Sequence, residues 1–74
     1  MTPYKTPDLN VAAFLVARGH RLTGMERLKD GRRALFVFAS GGDEVERFFL
    51  NELVGARDFA AALKQLKAAL HALR

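Results

Sequence analysis

The chain contains no cysteine and no tryptophan, and only two of its 74 residues are proline. The absence of cysteine excludes disulfide bonds, thiol catalysis, zinc fingers and iron–sulfur clusters together. A small fold without disulfides is typical of a reducing cytosol, so we expect a cytoplasmic protein.

The chain also lacks long hydrophobic runs, because the longest one covers only residues 11–17, too few to span a membrane. Its first eight residues lack the basic start and apolar stretch of a signal peptide. We therefore expect no membrane partner.

The sequence contains few side chains in arrangements that could catalyse a reaction. The single serine, Ser40, precedes two glycines, but no lysine follows at phosphate-loop spacing, and the acidic residues after them would repel phosphate. The two histidines, His20 and His71, lie far apart in the sequence, and we expect both to be solvated at the surface. We expect no enzymatic activity, no catalytic or metal-binding residues, no cofactor and no small-molecule substrate.

Length and composition indicate one small globular domain over residues 1–74, since half of the residues are hydrophobic and 27% are charged. A domain of this size buries a modest fraction of its surface, so a dimer or a partner would help to stabilise it.

Charge is unevenly distributed along the chain, whose net charge is +4. Residues 18–33 and 53–74 are predominantly basic, whereas residues 43–52 are predominantly acidic. This pattern is typical of solvated faces, and it also suits contact with a polyanion or with an acidic protein.

Local signals predict five elements after an N-terminal tail over residues 1–5. A helix over 7–18 has Thr6 as its N-cap and Gly19 as its C′ residue. Two strands over 21–28 and 33–39 flank the hairpin turn signal Asp30-Gly31, and Gly24 suits a bulge in the first strand. Two more helices follow over 43–53 and 56–73.

Apolar spacing predicts which faces these elements bury. On the second strand, Phe36 and Phe38 share one face, which we expect in the core. In the helix over 43–53, we expect four side chains to point toward the core, namely those of Val45, Phe48, Phe49 and Leu53. The last helix has a seam of Phe59, Leu63, Leu66, Leu70 and Leu73 that suits either the domain's own sheet or a second chain. The predicted fold is α+β with the order αββαα, an antiparallel β-hairpin packed against three helices.

A family resemblance covers nearly the whole chain. The opening block of residues 4–15, which reads YKTxDLxxAAFL with Pro7 at the first variable position, is its most specific part. It is followed by residues 19–22, residues 36–38 and the segment that begins at Arg57. The chain resembles a family of short uncharacterised proteins encoded by bacteria, phages and mobile elements. The resemblance implies a small accessory protein and no assigned activity.

Two functions fit these observations. In the first, the protein is a non-catalytic module that self-associates or binds another protein, and the candidate interface residues are Val11, Leu15, Leu66 and Leu70. In the second, it is a small basic nucleic-acid-binding protein that contacts phosphates. The candidate contacts are then Arg21, Arg27, Lys29, Arg32, Arg33, Lys64 and Lys67.

Overall fold

A computed structural model of the chain describes residues 3–29 and 33–73. Its elements are β1 (Tyr4–Thr6), α1 (Leu9–Ala17), β2 (Leu22–Arg27), β3 (Ala34–Phe38), α2 (Gly42–Phe49) and α3 (Ala56–Leu73). The three strands form one antiparallel sheet in the order β1-β3-β2. The α+β class is confirmed, but a strand precedes the first helix. The predicted Asp30-Gly31 turn and Arg32 lie outside the described residues.

The strand β1 replaces part of the predicted N-terminal tail. Its three residues pair with the other edge of the central strand β3, with Tyr4 opposite Phe38 and Thr6 opposite Phe36. A strand this short, between two prolines, has no local signal of its own, because its stability comes from pairing with residues 30 or more positions away.

The helix α1 begins two residues later than predicted, at Leu9 rather than Pro7. Its N-cap is Asp8, whose Oδ1 accepts hydrogen bonds from the backbone N–H groups of Asn10 and Val11 at 2.8 and 3.2 Å. The predicted N-cap, Thr6, is instead a buried residue of β1, and its Oγ1 accepts a hydrogen bond from the Asp8 N–H. The cap prediction was wrong because β1 holds Thr6 in the sheet.

The strands β2 and β3 form the predicted hairpin with slightly shorter bounds. The register shifts between Leu22 and Gly24, which confirms the expected bulge. Pairing continues past the end of β2, since the Leu28 N–H donates to the Arg33 carbonyl at 2.9 Å.

The core lies between the sheet and the helices, with α3 packed against α1. The buried residues of α1 are Val11, Ala12, Ala13, Phe14 and Leu15. Phe36 and Phe38 of β3 are also buried, as predicted, and Ala62 and Leu66 of α3 complete the cluster. Within the seam of α3, Leu66 is buried and Phe59 and Leu63 pack against the core, but this helix packs mainly on α1 and not on the sheet.

The opposite face of the sheet is partly covered by an ion pair. Leu35 and Val37 point to this face and are half-buried. The Lys5 Nζ lies 2.7 Å from the Glu26 carboxylate, and these residues belong to the two edge strands. Because β3 lies between them, the pair spans the central strand and its long side chains cover apolar surface.

The last two helices begin close to their predicted positions, but α2 ends early. α3 has the predicted bounds, whereas α2 ends at Phe49 instead of Leu53. No helix within the described residues is sufficiently long and apolar to cross a lipid bilayer.

Candidate functional site

The end of α2 is set by the backbone conformation of Asn51. This residue has a positive φ of 61°. The Glu52 N–H donates to the Arg47 carbonyl at 2.9 Å, and the Asn51 N–H donates to the Phe48 carbonyl at 3.1 Å. These two bonds define a Schellman motif, in which asparagine takes the position more often held by glycine. The chain leaves the helix there, so residues 52 and 53 do not continue its inward-facing side.

Three large apolar side chains near this helix end lie in solvent. Phe49, Leu50 and Leu53 are 71%, 73% and 88% exposed, respectively. We call these three residues the apolar patch. The prediction that Phe49 and Leu53 point inward was wrong, since the inward side of α2 carries only Val45 and Phe48.

The apolar patch is connected to the core through aromatic contacts. The Phe49 ring lies 5.2 Å from the Phe48 ring in an edge-on arrangement. The Phe48 ring in turn lies 5.6 Å from the buried Phe14 of α1, also edge-on. Aromatic pairs in this geometry contribute about 0.5–1.5 kcal/mol beyond their buried area. Phe49 is therefore exposed but held against a fixed support.

The same exposed side of α2 carries negative charge. Asp43, Glu46 and Leu50 are exposed, and their spacing of three and four residues places them on one face of the helix. Arg47, one turn after Asp43, is exposed on this face as well, so the two carboxylates leave it with a net negative charge. We call Asp43 and Glu46 the acidic face of α2. The acidic face thus adjoins the apolar patch.

The exposed side of α3 has the opposite charge. Arg57 and Lys64 are separated by seven residues and share one face, and Lys67 lies beside them. We call these three residues the basic face of α3. Small side chains surround them, since Ala60, Ala61 and Ala68 are exposed as well.

Most of the interface residues expected from the sequence belong to the core. Val11, Leu15 and Leu66 have at most 2% of their surface exposed, and Leu70 is half-buried. A side chain without exposed surface offers nothing to a partner of the folded domain, so these three residues are corrected from interface to core. The exposed apolar surface lies instead at the end of α2, where sequence reasoning missed it. The signal that could have indicated it is Asn51, a residue type that tolerates the left-handed conformation.

One basic residue of the hairpin contacts the end of α3. Arg21, Arg27, Lys29 and Arg33 are exposed. The Arg27 guanidinium donates a hydrogen bond to the Leu73 carbonyl in the last turn of α3. This contact places a cation at the negative end of the helix dipole. It also joins the hairpin end to the helix that carries Lys64 and Lys67.

The acidic helix is paired with the end of α1. The Arg18 Nε donates to the Glu44 Oε2 at 3.0 Å, and the His20 Nε2 lies 3.1 Å from the Glu44 Oε1. The histidine distance suits an ion pair, but its alignment falls short of a hydrogen bond. The partners of Glu44 are therefore Arg18 and His20, which follow α1, and not the arginines of the hairpin.

This cluster corrects the expectation of a solvated His20. Its Nε2 is buried, and its ring packs against Gly41 in the turn before α2. Gly41 has a φ of 123°, and a Cβ there would lie 3.3 Å from both the His20 Nδ1 and a Leu15 methyl carbon. The turn thus requires glycine for its conformation and for its packing. His71, by contrast, is exposed as expected.

The pKa of Glu44 is lowered from its ordinary value of 4.5. The hydrogen bond from Arg18 is the largest cause, and the nearby His20 ring contributes as well, while partial burial opposes both. Glu44 is therefore a structural carboxylate that remains ionised at neutral pH. No group of three or more metal-ligating side chains occurs within residues 3–29 and 33–73.

Comparisons with known proteins give no relatives. The chain matches no family model, and no curated protein or solved structure is detectably similar to it.

Proposed function

We propose that the protein is a non-catalytic binding module that associates with protein surfaces through the apolar patch. The exposure of Phe49, Leu50 and Leu53 supports this proposal most strongly. Burial of one such side chain on association contributes about 1.5–3 kcal/mol. Phe49 is also held against Phe48, so its ordering costs less entropy when a partner binds.

The proposal has a direct test that does not require the partner to be identified first. The tagged protein is immobilised and exposed to a lysate of the organism that encodes it, in parallel with Leu50→Asp and Leu53→Asp variants. A charge in the apolar patch should abolish specific capture, because the partner would have to bury it without a counter-ion.

The matched control is Asn10→Asp, which adds the same charge at an exposed position of α1. This control should capture the same proteins as the wild type, and circular dichroism should show that all three variants are folded. Capture that survives both leucine variants would contradict the proposal.

The second candidate function is nucleic-acid binding through the hairpin. The contact between Arg27 and the Leu73 carbonyl supports it, because it joins the basic hairpin to the helix that carries Lys64 and Lys67. Such a surface would bind phosphates without sequence preference, and its affinity would fall steeply with salt.

A fluorescence-anisotropy titration against random-sequence DNA and RNA tests this candidate. The expected result is binding at physiological salt that Arg32→Glu combined with Arg33→Glu removes. Absence of binding at low salt would eliminate the candidate, and affinity unaffected by the double reversal would eliminate the hairpin as its site.

A further inference from the structure

The exposed faces of α2 and α3 are complementary in charge. The acidic face of α2 carries two carboxylates, which outnumber the neighbouring cation of Arg47, and the basic face of α3 carries three cations. None of these five side chains forms an ion pair with another residue of the described parts of the chain. Each face therefore presents charge that is not neutralised within those parts of the fold.

The side chains on and around the two faces are also complementary in size. The acidic face adjoins the large side chains of the apolar patch. The basic face is surrounded by exposed alanines, which let another helix approach closely. A helix that offers bulky apolar groups and carboxylates suits a surface of small side chains and cations.

We infer that a second copy of this chain covers these faces, with α2 of each copy lying on α3 of the other. The apolar patch has three side chains, which are too few for a standard interface of about 800 Å² per partner. A two-fold axis forms the contact twice and so doubles the buried area. This inference rests on the proposed function, since it assigns the occupant of the same apolar patch.

Such a dimer pairs Glu46 of one copy with Lys64 of the other at both contacts. Leu50 of the patch lies against the exposed alanines of the facing α3.

Analytical ultracentrifugation over micromolar to millimolar concentrations tests the inference. The wild type is expected to show a monomer–dimer equilibrium that weakens as salt is added. Glu46→Lys and Lys64→Glu should each weaken the dimer about tenfold or more, because each places like charges opposite one another. Leu50→Asp should remove it.

The decisive variant combines Glu46→Lys and Lys64→Glu in one chain. It restores opposite charges at both contacts and keeps the net charge, so its dimerisation constant should return to about that of the wild type, within roughly threefold. The matched control is Lys29→Glu, which changes the net charge as Lys64→Glu does, at an exposed position beyond the end of β2. This control should leave the dimer intact.

Three results would overturn the inference. They are a monomer at millimolar concentration, a dimer that Lys64→Glu does not weaken, and single reversals that the double reversal does not repair. A monomer that still captures proteins through Leu50 would overturn the dimer while leaving the proposed function in place. A monomer whose capture is indifferent to Leu50 would overturn both.

Discussion

The ends of α1 and α2 share a backbone design but differ in what surrounds them. At the end of α1, the His20 N–H donates to the Leu15 carbonyl and the Gly19 N–H donates to the Val16 carbonyl, at 2.9 and 3.0 Å. The same pair of bonds closes α2 around Asn51. Both helices therefore end in a Schellman motif.

The difference lies in the two residues that this motif brings together. At the end of α1 they are Leu15, which is fully buried, and His20, whose Nε2 is buried beside Glu44. At the end of α2 they are Arg47 and Glu52, both exposed. The same local motif thus ends one helix against the core and the other at the solvent-exposed surface. The comparison teaches that helix termination and burial are decided separately.

The strongest way to sharpen this contrast is to truncate one leucine at each end. Leu15→Ala should lower the free energy of unfolding by about 2–5 kcal/mol, because it leaves a cavity in the core. Leu50→Ala should change it by less than about 0.5 kcal/mol, because the side chain is exposed. Urea unfolding at low micromolar concentration measures both. If Leu15→Ala does not fold, Leu15→Val provides the core measurement, and equal costs at Leu15 and Leu50 would contradict the assigned burial.

A second prediction concerns the left-handed residue at the end of α1. Gly19 has a φ of 98°, and nothing lies within 4 Å of a Cβ added there. Gly19→Ala should therefore cost about 1–2 kcal/mol through backbone strain alone.

Gly24→Ala is the matched control, since an added Cβ at Gly24 also meets nothing within 4 Å and its φ is not positive. Thermal unfolding should show Gly24→Ala to be the milder change. A Gly19→Ala protein as stable as the wild type would contradict the strained conformation.

A third prediction breaks the link between the two helices. Glu44→Gln removes the carboxylate that Arg18 and His20 share, and should cost about 1 kcal/mol at neutral pH. Because the pKa of Glu44 is lower in the folded protein than in the unfolded chain, its contribution is complete above about pH 4.5. That contribution is lost as the pH falls through the folded pKa.

The measurement is the free energy of unfolding as a function of pH. The wild type should lose more stability on acidification than Glu44→Gln does. Glu52→Gln, at an exposed carboxylate without an ion pair in the described residues, is the control and should keep the slope of the wild type. Identical pH profiles for wild type and Glu44→Gln would disprove the contribution of this ion pair.

The smallest effect is expected at the end of α2. Asn51→Gly should leave the protein equally stable or stabilise it by about 0.5 kcal/mol, because glycine adopts a positive φ at no steric cost. Asn51→Val should be clearly destabilising, since a β-branched residue is strained there. Urea unfolding of the two variants checks the pair, and a stable Asn51→Val protein would rule out the left-handed helix end.

Much of the fold was predictable because its signals are local. Gly19 as the C′ residue of α1, the bulge near Gly24 and the bounds of α3 are confirmed, and each depends on the conformational preferences of residues close together in the sequence. The α+β class and the burial of Phe36 and Phe38 are confirmed too, because alternation along a strand separates its two faces.

The misses have a common physical origin in contacts between distant parts of the chain. β1 forms only because Tyr4, Lys5 and Thr6 find β3, and the N-cap moves to Asp8 as a result. His20 is drawn out of solvent by Glu44, which is 24 positions away in the sequence. No local pattern carries information on such pairings.

The candidate site was the least predictable part. The sequence contains more apolar residues than one small core needs, but apolar periodicity predicted the wrong residues to be exposed for binding. Leu15 and Leu66 are needed in the core, and the surplus emerges at Phe49, Leu50 and Leu53. The early end of α2 accounts for Leu53, because residues after Asn51 no longer follow the helical spacing, whereas Phe49 is exposed within α2 itself.

By itself, the sequence determined the α+β class, the alternation of strand β3, the helix stop at Gly19 and the separation of charge along the chain. Those features depend on backbone preferences and on residue types that act over a few positions. Only the tertiary structure decided the third strand, the partial burial of His20 and the exposure of the apolar patch. These depend on which distant surfaces meet, and the free energy of that choice is shared among residues that are far apart in the sequence.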